Sequence, residues 1–158
     1  MLTFKQFIEN DQEHQKALNQ TGFWGKQGAG CIIVAKDTKR LLLPLRSRHV
    51  QEPNTWGTWG GAIDSNEDPA EAAKREVQEE AGYDGNVETI PLAVFRKGTF
   101  QYHNFLAIVD TEFIPTLNWE TQKFLWTELD NIPQPTHFGL QWILDNDGEK
   151  IKNIIQNL

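Results

Sequence analysis

GAIDSNEDPAEAAKREVQEEAGY, residues Gly61 to Tyr83, is the stretch that decides the fold. From residue 69 to 81 it reads as a helix. Asp68 is placed to cap the first turn, Pro69 fits the first helical position, Glu71 stands three residues after the cap, and Gly82 supplies the stop. Taking each residue as a 100° step and Glu76 as zero, Glu80 falls at about 40°, Glu79 at about −60° and Ala72 at about −40°. Three carboxylates therefore share one face. An adjoining arc carries Ala70, Ala73, Val77 and Ala81, small enough to pack closely on a sheet, while Lys74, Gln78 and Glu71 fill the solvent side. The plain alternative is a solvated charged face. It fits less well, because like charges at these spacings each cost a helix roughly 0.2–0.5 kcal/mol and the matching cations stand elsewhere. A divalent ion reverses that sign: Mg²⁺ takes hard oxygen ligands and completes its shell with water or phosphate oxygens.

Outward from the helix, short apolar runs read as strands. Residues 28–36 and 41–46 flank the polar turn Asp37-Thr38-Lys39-Arg40 and form a predicted hairpin. A polar loop, residues 47–58, leads into Trp59-Gly60-Gly61-Ala62-Ile63. Downstream, 87–97 and 100–110 are predicted strands joined at Lys97-Gly98-Thr99, and 123–126 is a shorter one. Helices are expected at 3–19, with Phe4, Phe7, Ile8, Ala17 and Leu18 as an interrupted apolar stripe, and at 137–146 and 149–157, broken at Gly148. Strands on both sides of a central helix, with further helices at the termini, give an α+β domain.

Bulk properties bound the partners. At 158 residues and 39% hydrophobic content the chain is expected to close one core, a single domain over 1–158. A net charge of −7 argues against wide contact with polymeric nucleic acid, and a small anionic ligand needs a local cation. Cys31 is the only cysteine, so no intrachain disulfide forms; it sits in an apolar run and reads as a buried small hydrophobe. No apolar stretch approaches the roughly 20 residues that span a bilayer, so no membrane partner is expected. The opening MLTFKQFIENDQEHQ lacks the apolar stretch of a signal peptide, and a cytoplasmic protein is expected. His49, His103 and His137 have no zinc-ligand spacing.

Gly61, Glu67, Arg75-Glu76-Val77, Glu79-Glu80 and Gly82 together resemble the Nudix box (MutT-like) over its whole 23-residue length. The preceding Trp56-Gly57-Thr58-Trp59-Gly60 resembles that family's approach to the box. Tyr83 departs from the aliphatic residue usual there, a packing variation. The resemblance implies a Nudix fold, a mixed β-sheet sandwiched between α-helices, and hydrolysis of a pyrophosphate bond. The implied substrate is a nucleoside diphosphate linked to another group. It further implies Mg²⁺, with Mn²⁺ as a substitute, held by Glu76, Glu79, Glu80 and a main-chain carbonyl at Gly60 or Gly61. Glu67 and Arg75 are then an ion pair that orients the ligands. The proton of the attacking water passes to Glu79, Glu80 or a residue outside the box, of which Glu120 is the leading candidate.

Substrate choice is less constrained. The proline associated with ADP-ribose hydrolases is absent at Gly98 and Thr99, as is the downstream signature of NADH hydrolases. Tyr102 lies just beyond the window in which dinucleoside polyphosphate hydrolases carry a tyrosine. Nucleoside triphosphates including oxidised ones, dinucleoside polyphosphates and nucleotide sugars stay open. Arg46 and Arg48 are candidate phosphate contacts, and Tyr102, Phe23, Trp24, Trp56 and Trp119 candidate base-stacking residues. The alternative reading is a non-catalytic Nudix-fold nucleotide sensor, although such proteins usually lose box carboxylates. Six tryptophans leave room for a homodimer interface.

Overall fold

The computed structural model describes residues 27–64 and 66–158. The helix expected at 3–19 and the aromatic pair Phe23 and Trp24 lie outside the described residues. Strand β1 (Gln27–Ala35) is the hub of a six-stranded sheet that also contains β2 (Leu41–Arg46), β3 (Trp59–Ala62), β4 (Val87–Lys97), β5 (Phe100–Val109) and β6 (Thr121–Thr127). The order is β4-β5-β1-β2-β6, and β3 pairs with the first half of β1. The β1–β5 pairing is parallel, with Gln27 opposite Gln101 and Ala35 opposite Val109, and every other pairing is antiparallel, so the sheet is mixed.

Alternation along β1 sorts two cores. Ala29, Cys31, Ile33 and Ala35 face helix α1 (Pro69–Glu79), meeting Ala72, Ala73, Val77 and Ala81. Ile32 and Val34 face the other way, with Leu41, Leu43, Leu106 and Ile108, against Leu140, Ile143, Ile151 and Ile155 of helix α2 (Phe138–Gln156). Small residues on α1 let the helix approach the strands closely, and that approach sets the depth of the acidic residues beside them.

The α1 punctuation forms as its residues dictate. Asp68 is extended and its carboxylate accepts from Ala70 N at 3.1 Å, Pro69 opens the helix, and Gly82 adopts φ +74° just beyond it. The helix ends at Glu79 rather than at 81. Its last turn widens, so that the carbonyl of Glu76 accepts from both Glu80 N and Ala81 N.

The expected C-terminal pair of helices is present as two helical segments of α2 that meet at a kink, with Asp147, the neighbour of Gly148, as the irregular residue. A register shift in β4 between Pro91 and Val94 leaves the Ala93 N–H without a ladder partner, and the Asp147 carboxylate accepts it. Lys150 Nζ donates to Pro91 O at 2.8 Å and fixes the same point. The expected strand at 123–126 extends to Thr121–Thr127.

Candidate active site

The loop entering α1 is fixed by Glu67 and Arg75. Arg75 Nε donates to Glu67 Oε2 at 3.0 Å and its Nη2 to Glu67 Oε1 at 3.1 Å, a two-point pairing that matches the planar guanidinium. The same Nη2 reaches the carbonyl of Ala62 at 3.0 Å, and Glu67 Oε1 also accepts from Asp64 N. This ties the end of β3, the loop and the helix together. The Arg75 guanidinium and the Asp64 N–H hold the Glu67 carboxyl below its ordinary range.

The three box glutamates differ in burial across the acidic face. Glu76 is 4% exposed and lies on the packed side of α1. Glu79 is largely exposed, with Oε2 3.6 Å from Arg75 Nη1, and Glu80 is half-buried.

Glu76 is the unusual group of the site. Its Oε1 stands 3.5 Å from Arg75 Nη1, whereas its Oε2 is buried with no hydrogen-bond partner. Gly61 makes room for it: a β-carbon there would sit 2.8 Å from Glu76 Oε1, closer than real side chains approach. Burial pushes the Glu76 carboxyl up to about 8, helped by the charges of Glu80, Glu120 and Glu79 and opposed by Arg75. An unmet acceptor among three further carboxylates is an arrangement that favours a cation.

Beside Glu76 runs a cleft lined by Pro44, Arg46, Thr58, Trp59, Gly60, Glu80, Thr116, Asn118, Glu120 and Thr121. It brings Gly60 and Glu80 next to Glu120, which stands just ahead of β6. Arg46 also lines it, but its guanidinium grips the loop after β2, Nε and Nη2 donating to Gln51 O at 2.9 and 2.7 Å. Arg48 is exposed and is not among the cleft-lining residues. Tyr102 belongs to the opposite face of the sheet. Its ring lies over Gly28 and Gly30 and clusters with Phe100, Phe95 and Phe138. Trp56 packs in the α2-side core and Trp119 is 55% exposed. Tyr83 is buried against Phe113, ring centres 4.7 Å apart, on the α1 side.

Asn118 and Thr116 are parts of the site that sequence reasoning did not single out. Asn118 stands two residues before Glu120, a spacing at which an Asn side chain commonly accepts from the main chain. That local signal was available for Asn118; none was for Thr116.

Such a domain, a mixed sheet between helices with a carboxylate-bearing loop and helix packed through small residues, defines a class before any comparison is made. The chain belongs to the NUDIX domain family, whose model matches residues 25–144. It is 33% identical over 116 residues to the CMP-5'-(N-acetyl-N-hydroxy-3-aminopropyl)phosphonate hydrolase of Streptomyces rubellomurinus, a match covering 71% of this chain and 56% of that protein. It is 31% identical over 146 residues to the dihydroneopterin triphosphate diphosphatase of Haemophilus influenzae, covering 80% of this chain and 85% of that one. Among solved structures, the MutT NUDIX hydrolase from Burkholderia pseudomallei matches with a TM-score of 0.61 at 25% identity, over 77% of this chain and 96% of that chain.

Nudix hydrolases generally use a divalent metal, and the residues here fit one. The available donors are carboxylate and carbonyl oxygens, one of them the buried, unpaired Glu76 Oε2. Among the described residues, no three acidic, histidine or cysteine side chains converge into a ready cage.

Proposed function

We propose that this chain is a Mg²⁺-dependent hydrolase, with Mn²⁺ able to substitute, that cuts a pyrophosphate bond in a small nucleotide derivative. The observation that carries the reading is the buried, unpartnered Glu76 carboxylate oxygen beside Glu79, Glu80 and Glu120. Glu76, Glu79, Glu80 and the Gly60 carbonyl would hold the cation, and Glu67 with Arg75 fixes the loop against their helix. The bound cation supplies positive charge to the phosphate oxygens as negative charge develops on them. A carboxylate of the cluster takes the proton of the attacking water, and comparing Glu79→Gln, Glu80→Gln and Glu120→Gln assigns it.

Relatives named for a CMP-linked phosphonate and for an organic triphosphate put nucleoside triphosphates and nucleoside diphosphates linked to a second group first in line as substrates. The test is a panel of deoxy and oxidised nucleoside triphosphates, dihydroneopterin triphosphate, dinucleoside polyphosphates and nucleotide sugars, with products resolved by chromatography. At least one is expected to yield a mononucleotide or monophosphate with Mg²⁺. Binding without turnover of any of them, with Mg²⁺ or Mn²⁺, would make the protein a sensor instead.

A further inference from the structure

Asn118 lies outside the box and joins two of its acidic neighbours. Its Nδ2 donates to Glu80 Oε2 at 2.8 Å, and its Oδ1 accepts from the main-chain N–H of Glu120 at 2.9 Å. Its partners fix which way the amide points, because a carboxylate only accepts and a main-chain N–H only donates. An aspartate here would keep the bond to Glu120 and set a fourth anion against Glu80. The segment is pinned on both flanks, Thr116 N donating to Ala81 O at 3.0 Å and Ser47 N to Glu120 O at 2.8 Å. Glu80 caps the C-terminal end of α1 and Glu120 precedes β6, so no local geometry relates them. The Asn118 amide links the Glu80 carboxylate to the main chain of Glu120.

We propose that Asn118 is a positioning residue for the divalent cation, holding Glu80 by one carboxylate oxygen so that the other is presented alongside Glu120. The inference rests on the function proposed above. A hydrogen bond to the ionised carboxylate also fixes its rotamer, which lowers the ordering cost when a cation binds. Asn118 is exposed, so its effect is on geometry more than on stability.

The test is Mn²⁺ binding without substrate, measured by calorimetry on the wild type, Asn118→Ala, Glu80→Gln and the double variant. Asn118→Ala is expected to weaken Mn²⁺ by about 10- to 100-fold, as loss of a ligand-orienting partner does elsewhere. In the Glu80→Gln background the same change is expected to add little, because the residue acts through Glu80. Asn118→Ser, whose hydroxyl can accept from Glu120 N–H but is too short to reach Glu80, is expected to lose as much as Asn118→Ala. Equal affinity in the wild type and Asn118→Ala overturns the inference and leaves the site reading standing. Equal losses in both Glu80 backgrounds, or retained affinity in Asn118→Ser, place the effect in the loop and also overturn it. A wild type that binds no Mn²⁺ removes the site reading and this inference together.

Discussion

The Glu76 carboxyl couples pH, metal and stability in one measurable way. Buried and pushed up to about 8, it is expected to hold its proton in the metal-free protein at neutral pH. A cation takes the ionised form, so binding must expel that proton. Metal affinity is therefore expected to rise about tenfold per pH unit from pH 6 to 8 and to level off above that. Calorimetric titration of Mn²⁺ in buffers of different ionisation enthalpy counts the protons directly. About one proton per ion is expected at pH 6 to 7, falling toward zero by pH 9. Stability moves in the opposite sense. The folded-state value lies above the ordinary 4.5, so the stabilising contribution is complete below about pH 4.5 and is lost as pH rises through about 8. The loss is on the order of a few kcal/mol. Glu76→Gln keeps the shape without the charge and is expected to flatten both the proton release and this loss. Affinity that is level between pH 6 and 8, with no proton released, would refute the reasoning, since Glu76 would then already be ionised in the metal-free protein.

Gly61→Ala places a β-carbon 2.8 Å from Glu76 Oε1, so a cost of about 1–3 kcal/mol is expected, along with weaker Mn²⁺ binding; melting curves and calorimetry check both. Gly60→Ala meets Ala29 O at 2.7 Å and the Gly30 Cα at 2.8 Å, so β3 must shift from β1; the expected signature is a lower melting temperature and a metal affinity that excess Mg²⁺ restores only in part. Glu67→Ala removes both Arg75 contacts and is expected to cost about 1–2 kcal/mol, read as a denaturant midpoint shift at pH 7. Because the folded-state Glu67 carboxyl titrates below its ordinary range, that difference is present above about pH 4.5 and shrinks as pH falls through the folded-state value.

The parts of this molecule that sequence reasoning reached are those governed by neighbours along the chain. Asp68, Pro69 and Gly82 bound α1 through contacts a few residues long, and β1 with β2, like β4 with β5, are antiparallel neighbours across short turns. The parallel β1–β5 pairing joins residues far apart in the chain, and period-2 alternation does not say which strand lies beside which. The break near Gly148 is legible from that glycine, but the contact made there is not: Asp147 accepts from the Ala93 N–H at a register shift in another strand. Within the site, ideal helix angles put the three glutamates on one face. What those angles do not give is how deeply each is buried: Glu76 sits under the sheet while Glu79 is largely exposed, which depends on how closely α1 packs on the strands. Arg46 reads in sequence as a candidate phosphate contact; it lines the cleft, and the fold also commits two of its nitrogens to Gln51 O, a bond that no sequence pattern announces. Tyr102 stands near the box in the linear pattern, but its even position in β5 turns it to the α2 face.

The central claim is that the carboxylates around Glu76 serve a divalent ion in cutting a pyrophosphate bond. The most direct measurement is the rate on the best substrate of the panel, for the wild type and Glu80→Gln, with Mg²⁺ titrated in after exhaustive chelation. The account predicts no turnover after chelation, full recovery with Mg²⁺, and a Glu80→Gln rate lower by orders of magnitude at saturating metal. Turnover that survives chelation, or that Glu80→Gln leaves unchanged, would contradict it.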